Sequence, residues 1–227
     1  MSKLKKFQAV IHCSFNDDAL LDQALTHRSV HKSKNNERLE FLGDSVLSIV
    51  ISEFIFNELA SATEGELSRV RSSLVKEEAL AKVARDIDLG QYIHLGAGEL
   101  KSGGFRRDSI LSDALEAVIG AVYLDQGFDK ARSVILFLYQ EYLVKLPSPT
   151  SLKDPKTRLQ EYLQGKKIDL PIYHVIDSSG KSHNQVFSVS CSINALKLSS
   201  VGTGTSRKKA EQMAASQLFH ELIDDKK

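Results

Sequence analysis

The sequence predicts two domains, an all-α domain followed by a smaller α+β domain of order α-β-β-β-α. Three observations carry this. Up to about residue 146 apolar residues recur at helical spacing and no segment alternates as a strand would. Pro147-Ser148-Pro149-Thr150-Ser151, with Pro155 close behind, interrupts that periodicity as a linker does. Beyond it, Phe187, Val189, Cys191 and Ile193 alternate with polar residues, the period of a half-buried strand. The domains therefore read as 1–146 and 154–225, joined by 147–153. Charge divides in the same place. The chain of 227 residues has a formal net charge of +1, but residues 151–227 hold 12 Lys/Arg against 8 Asp/Glu and residues 1–150 hold 18 against 21. An acidic front and a basic back imply different partners.

The elements follow in order. The basic start, Met1 to Lys6, has no apolar run behind it, so no secretory signal is expected. Residues 17–26 read as a short helix, and His27 to Asn36 as a polar loop. A long helix runs from about Glu37 to Leu59. Its apolar stripe is expected at Leu39, Leu42, Val46, Ile49 and Val50, opposite the carboxylates. Thr63-x-x-Glu66 is a capping box that opens the next helix. That helix is expected to continue to about Ile87. Gly90 to Gly104 reads as a loop ending in the basic patch Lys101, Arg106 and Arg107. Two more helices are expected, from about Asp108 to Asp125 and from about Asp129 to Leu146. After the linker come a helix over Lys156–Gln164 with Pro155 at its start, and strands over Ile172–Asp177, Val186–Ile193 and Leu196–Val201. A closing helix covers Ser206–Ile223, with Ala210, Ala214, Leu218 and Leu222 inside. The most apolar window, Val46 to Phe56, is short and contains Glu53, so no membrane span is expected. Cys13 and Cys191 lie far apart and in no metal-ligand spacing. They read as reduced thiols of a cytoplasmic protein.

The carboxylates carry the chemistry. Glu37, Glu40 and Asp44 fall at i, i+3 and i+7, within roughly 60° of one another on a helix. Like charges at i,i+4 weaken a helix. Such a face is either spread into solvent or balanced by a cation. A second helix carries Asp113 and Glu116 at i,i+3, with Gly120 falling angularly between them, which leaves that face free of side-chain bulk. Two helices with apolar backs and carboxylate fronts can pack with the fronts together. Glu40, Asp44, Asp113 and Glu116 would then form an all-oxygen cluster. These charges cannot all stay ionised unaided. A hard divalent cation, Mg²⁺ or Mn²⁺ rather than zinc, resolves the conflict. Solvated helix faces are the alternative that spacing leaves open. Glu64 follows Thr63 at a helix start, where the helix dipole alone accounts for an acid, and Glu37 has the same explanation. Phe41 sits beside the carboxylates and off the core stripe. It calls for another surface, in this chain or in a second copy.

The second domain offers cations instead. Arg207, Lys208 and Lys209 open the last helix against its dipole, which suits phosphate better than it suits the helix. Gln160 and Glu161 on the first helix suit 2′-hydroxyls. The small polar loop Ser178–His183 joins two strands and carries His183. Three such surfaces on an α-β-β-β-α unit fit two minor grooves and the intervening phosphates of double-stranded RNA.

Asn36-Glu37-Arg38-Leu39-Glu40-Phe41-Leu42-Gly43-Asp44-Ser45 resembles the signature of the ribonuclease III family, and Asp113-Ala114-Leu115-Glu116-Ala117 resembles its second acidic motif. Gly180-Lys181-Ser182-His183 with Phe187, and Gly202 to Ala210, resemble a double-stranded RNA-binding domain. The resemblance covers nearly the whole chain, in the domain order of the bacterial enzymes. It implies a Mg²⁺-dependent endoribonuclease for double-stranded RNA, working as a homodimer and leaving 5′-phosphate and 3′-hydroxyl ends with a short 3′ overhang. Ribosomal RNA precursors and some messenger and transfer RNAs would be its targets. Glu40, Asp113 and Glu116 correspond to metal ligands, Asp44 acts with Glu116 on metal and water, and Glu37 and Glu64 match weaker acidic positions. Phe41 becomes a candidate dimer contact. A double-stranded RNA-binding regulator with a vestigial nuclease fold competes with this reading, but all four core carboxylates are present. An all-α metal-binding interaction protein is opposed by the basic second domain.

Overall fold

A computed structural model describes residues 2–149, 151–179 and 185–224. The chain divides into two units, Met1–Leu152 and Lys153–Lys227. Each has its own hydrophobic core. Among the described residues no helix is long and apolar enough to cross a membrane.

The first unit is helical: α1 (Lys3–Val10), α2 (Asp18–Ala24), α3 (Glu37–Glu58), α4 (Glu64–Val75), α5 (Glu77–Asp86), α6 (Ala97–Lys101), α7 (Asp108–Leu138) and α8 (Gln140–Val144). The helices α3 and α7 form its central pair, with α2 and α5 packed on α7 and α4 on α3. The pair touches backbone to backbone. A Cβ added to Gly43 would fall onto the Glu116 carbonyl, and one added to Gly120 onto that of Leu39. Sequence reasoning gave Gly120 to a face left open for the cluster. It is instead buried in the helix contact, together with Gly43.

The face of α3 also differs from expectation. Its buried residues are Leu39, Gly43, Val46, Leu47, Val50, Ile51 and Ile55, while Ile49 is 56% exposed. The carboxylates therefore flank the packed face instead of opposing it, which is what lets Glu40 reach α7.

Three boundaries need correction. The helix expected to run from Glu64 to Ile87 breaks at Lys76, whose backbone is extended (φ −70°, ψ 154°). In one straight helix Val70 and Val83 would point about 140° apart, and the break lets both be buried. The capping box holds, with Thr63 N–H donating to Glu66 Oε2 at 3.0 Å. The region Gly90–Gly104 is not all loop, since it contains α6 and short 3₁₀ turns. Gly127, at φ +81° inside α7, ends its first straight segment, and the helix expected to reach Leu146 is interrupted at Tyr139. The helix α1 was not foreseen. Lysines mask its apolar positions, yet Phe7 and Ile11 are fully buried and Ser2 Oγ accepts the Lys5 N–H.

The second unit contains α9 (Pro155–Gly165), β1 (Ile172–Ser179), β2 (Val186–Ile193), β3 (Leu198–Gly204) and α10 (Arg207–Asp224). The strands form one antiparallel sheet in the order β1-β2-β3. Leu159 and Leu163 of α9 and Ala214, Ala215 and Leu218 of α10 share a core with Cys191 and Ile193 of β2. The third strand starts later than expected because Asn194–Leu196 form a 3₁₀ turn and Lys197 takes a left-handed conformation (φ 54°). Cys13 and Cys191 are buried free thiols.

Candidate functional site

Glu40 of α3 and Asp113 and Glu116 of α7 meet beside the glycine contact. Each offers a carboxylate oxygen, and the three oxygens lie within 4.8 Å of one another. The side chains are half-buried. Burial is the first cause that raises each acid above the usual carboxylate range. Glu116 is pushed up to about 8 by desolvation and then by the charges of Asp44, Glu40 and Asp113. Glu40 is raised by burial and then by Asp113 and Glu37, with Arg28 opposing. Asp113 is raised by burial, against the hydrogen bond from Ser112 Oγ and the nearby His27 and Arg28. Three half-buried acids facing one another hold extra protons or a cation. With oxygen donors alone, the set fits a hard divalent ion.

The other expected acids are arranged around this trio. Asp44 lies one turn beyond Glu40, exposed, and its charge reaches Glu116. It stands at the open edge, outside the 4.8 Å group. Glu37 lies one turn before Glu40. Arg28 Nη1 is 3.2 Å from its Oε1, and Asn35 Nδ2 donates to its Oε2 at 3.2 Å. Glu64 is the first residue of α4, and its Oε1 accepts Ser68 Oγ–H at 2.9 Å. Neither Glu37 nor Glu64 joins the trio. Gly43, Arg28 and His27 were missed as site-builders. A small residue between Glu40 and Asp44, and an Arg just upstream, were the available signals. Burial lowers the His27 imidazole from its ordinary value, and its Nδ1 lies 2.8 Å from Ser29 Oγ.

Phe41 is 78% exposed among the described residues. On the same side of α3, Ile49 and Phe56 are 56% and 68% exposed. A cavity of about 660 Å³ beside Phe41 is lined by Leu20, Leu39, Leu42 and Leu124. Exposed apolar surface of this kind marks interaction sites.

In the second unit Arg207, Lys208 and Lys209 stand exposed at the start of α10, with Ser206 Oγ accepting the Lys209 N–H at 3.2 Å. Arg207 is held by Glu211 at 2.9 Å, while no ion pair engages Lys208 or Lys209 among the described residues. Gln160 and Glu161 are exposed on α9, with Lys153 Nζ 2.7 Å from Glu161. His183 lies outside the described residues. Replacing Lys208 and Lys209 together with Gln is expected to weaken binding of any RNA duplex. It should flatten the plot of log affinity against log salt by about two units. Fluorescence anisotropy across a salt series checks this. A loss confined to one duplex sequence would contradict a phosphate role.

Comparison with known proteins matches residues 17–143 to the ribonuclease-III-like family and residues 155–222 to the double-stranded RNA binding motif. Ribonuclease 3 of Glaesserella parasuis is 54% identical over 220 residues, 97% of this chain and 98% of that protein. Ribonuclease 3 of Vibrio parahaemolyticus is 49% identical over 98% of this chain and 99% of that protein. Among solved structures, the nuclease domain of the Campylobacter jejuni ribonuclease III, studied for flexibility in its dimer-forming region, is similar. It has a TM-score of 0.60 and 46% identity over 61% of this chain and 96% of that one.

Proposed function

Because the chain belongs to the ribonuclease III family, we propose that it is a divalent-metal-dependent endonuclease that cuts both strands of double-stranded RNA. The observation that carries this is the trio of Glu40, Asp113 and Glu116, oxygen donors within 4.8 Å that fit Mg²⁺, with Mn²⁺ as a substitute. When bound, the ion supplies polarisation of a phosphoryl oxygen and a water that ionises at neutral pH. The carboxylates of the trio would hold it. Asp44, on the exposed edge, and Glu116 orient the attacking water and take its proton. The water oxygen bonds to phosphorus and the bond from phosphorus to O3′ breaks. The leaving oxygen takes up a proton, giving a 5′-phosphate and a 3′-hydroxyl. Glu37 and Glu64 contribute charge from outside the trio.

The second unit holds the duplex. Lys208, Lys209 and Arg207 meet phosphates across the major groove, while Gln160, Glu161 and His183 serve the minor grooves. Two antiparallel strands call for two trios related by a two-fold axis, which a homodimer supplies and which leaves a short 3′ overhang. Phe41 and its neighbouring cavity are self-complementary in chemistry, and each copy would cover the other's Phe41. Ribosomal RNA precursors, with some messenger and transfer RNAs, are the substrates, in the cytoplasm.

The test is a labelled duplex incubated with the protein, with and without Mg²⁺, with the ends analysed chemically. Cleavage only with the ion, leaving 5′-phosphates on duplex but not on single-stranded RNA, is expected. Binding without cleavage would favour a regulator. For the interface, Phe41→Ala is expected to weaken self-association at least about tenfold, by removing an aromatic anchor. Analytical ultracentrifugation checks it, and an unchanged dimer constant would place the interface elsewhere.

A further inference from the structure

One strong cation stands at the rim of the trio and has no part in the chemistry above. The backbone around Arg28 is pinned on both sides. The His27 N–H donates to the His94 carbonyl (3.1 Å), the Val30 N–H to the His27 carbonyl (2.9 Å), and the Asn36 N–H to the Thr26 carbonyl (2.9 Å). The Gly96 N–H donates to Ser29 Oγ at 2.9 Å. The side chain itself remains 67% exposed, and its carboxylate contact is Glu37 at 3.2 Å, one helical turn before Glu40. So exposed an ion pair contributes little to folding. Its charge nonetheless reaches the site, offsetting the upward shifts of Glu40 and Asp113. An anchored base, an exposed guanidinium held by a single exposed carboxylate and an acidic site that must admit a polyanion make one combination. Guanidinium is the side chain suited to bidentate contact with phosphate.

We propose that Arg28 is a positioning residue for the RNA backbone: when duplex binds, its guanidinium leaves Glu37 and takes a phosphate flanking the one to be cut. This rests on the reading of the trio as the cleavage site for double-stranded RNA. Glu37 has a defined part in the exchange. It keeps the guanidinium aimed along the start of α3 while RNA is absent, and it competes with RNA for it.

The test uses the full chain. Duplex binding is measured by anisotropy in Mg²⁺ on a non-cleaving Glu116→Gln background, with Arg28→Gln, Arg28→Lys or Glu37→Gln added. Arg28→Gln is expected to weaken binding about three- to tenfold and to reduce the salt slope by about one unit, the signature of one lost phosphate contact. Arg28→Lys should restore the slope and part of the affinity. Glu37→Gln should tighten binding about two- to threefold by freeing the guanidinium. On the otherwise unaltered chain, Arg28→Gln should raise KM with kcat changed less. Mn²⁺ titration of RNA-free Arg28→Gln by calorimetry should show binding at least as tight as in the parent, since a repelling charge is gone. An unchanged affinity and slope in Arg28→Gln, beside a parent that cleaves duplex, overturns this proposal alone. Weakened Mn²⁺ binding overturns it too, by making Arg28 a structural prop. A parent that cleaves no duplex overturns the functional reading beneath it.

Discussion

Glu116→Gln is expected to lower duplex cleavage about 10³-fold or more while leaving duplex binding within about twofold of the parent. Gln keeps the shape of the side chain and removes its charge and its ability to accept a proton. The trio is then left with two anionic oxygens, and Asp44 with no partner at the water. Binding is expected to be spared because the change removes none of the cations proposed to meet phosphate. The same variant tests the electrostatics independently. Glu116 titrates near 8 when folded, against an ordinary value of 4.5. Between those values Glu116 binds more proton in the folded protein than in the unfolded chain, so its contribution to the stability of the metal-free protein falls as pH rises from about 4.5 to 8, and is level above. Glu116 is only partly buried, so solvent screening cuts the loss to about 1–2 kcal/mol. Metal-free Glu116→Gln lacks this penalty and should melt roughly 2–6 °C above the parent at pH 8.5, with no advantage at pH 4.5. Scanning fluorimetry in chelator checks it. Parallel melting curves across that range would show that the trio is not strained. Mg²⁺ should stabilise the parent more than the variant.

Gly43→Ala is expected to destabilise the protein by about 2–3 kcal/mol and to reduce kcat at least about tenfold. Two effects compete here. Alanine is the better helix former by about 1 kcal/mol, so at an open helical site the change would stabilise. At Gly43 the new methyl has to displace the Glu116 carbonyl, which is backbone and cannot rotate aside. Separating α3 from α7 moves Glu40 away from Glu116 and loosens the trio directly. Gly98 in α6, with nothing within 4 Å of an added Cβ, is the control and should be neutral or slightly stabilised as Ala. Chemical denaturation of both variants checks the sign, and equal behaviour at the two positions would refute the close-approach account.

Much of this was legible in sequence because it depends on period. The strand β2 begins and ends where alternation does, and spacing put the carboxylates of α3 and of α7 each on one face, leaving open whether the two faces meet. What failed depends on contacts between distant segments. Nothing local marks the break at Lys76, which exists to aim two runs of apolar residues at one core. Ile49 matches the stripe as well as Val50 does, but α7 lies to one side of α3, so Val50 is covered and Ile49 is left out. Gly43 could be read as part of a signature without its physical reason, because that reason is a carbonyl on a helix far along the chain. Asp44 and Glu64 illustrate the limits of spacing in different ways. The first stands beside the trio by charge and outside it by distance, and the second sits at a helix start, where the dipole alone accounts for an acid and spacing carries no further information.

The touching glycines have a consequence for synthesis. The helix α3 leaves the ribosome well before α7, and at about 5–20 residues per second the interval is several seconds. During that time Glu40 has no Asp113 or Glu116 to meet, and it is one more hydrated acid on a helix. The cluster proposed to hold the ion exists only once the second helix arrives and the two backbones close on each other. With its carboxylates split across that event, the proposed site cannot assemble on a chain that ends before α7.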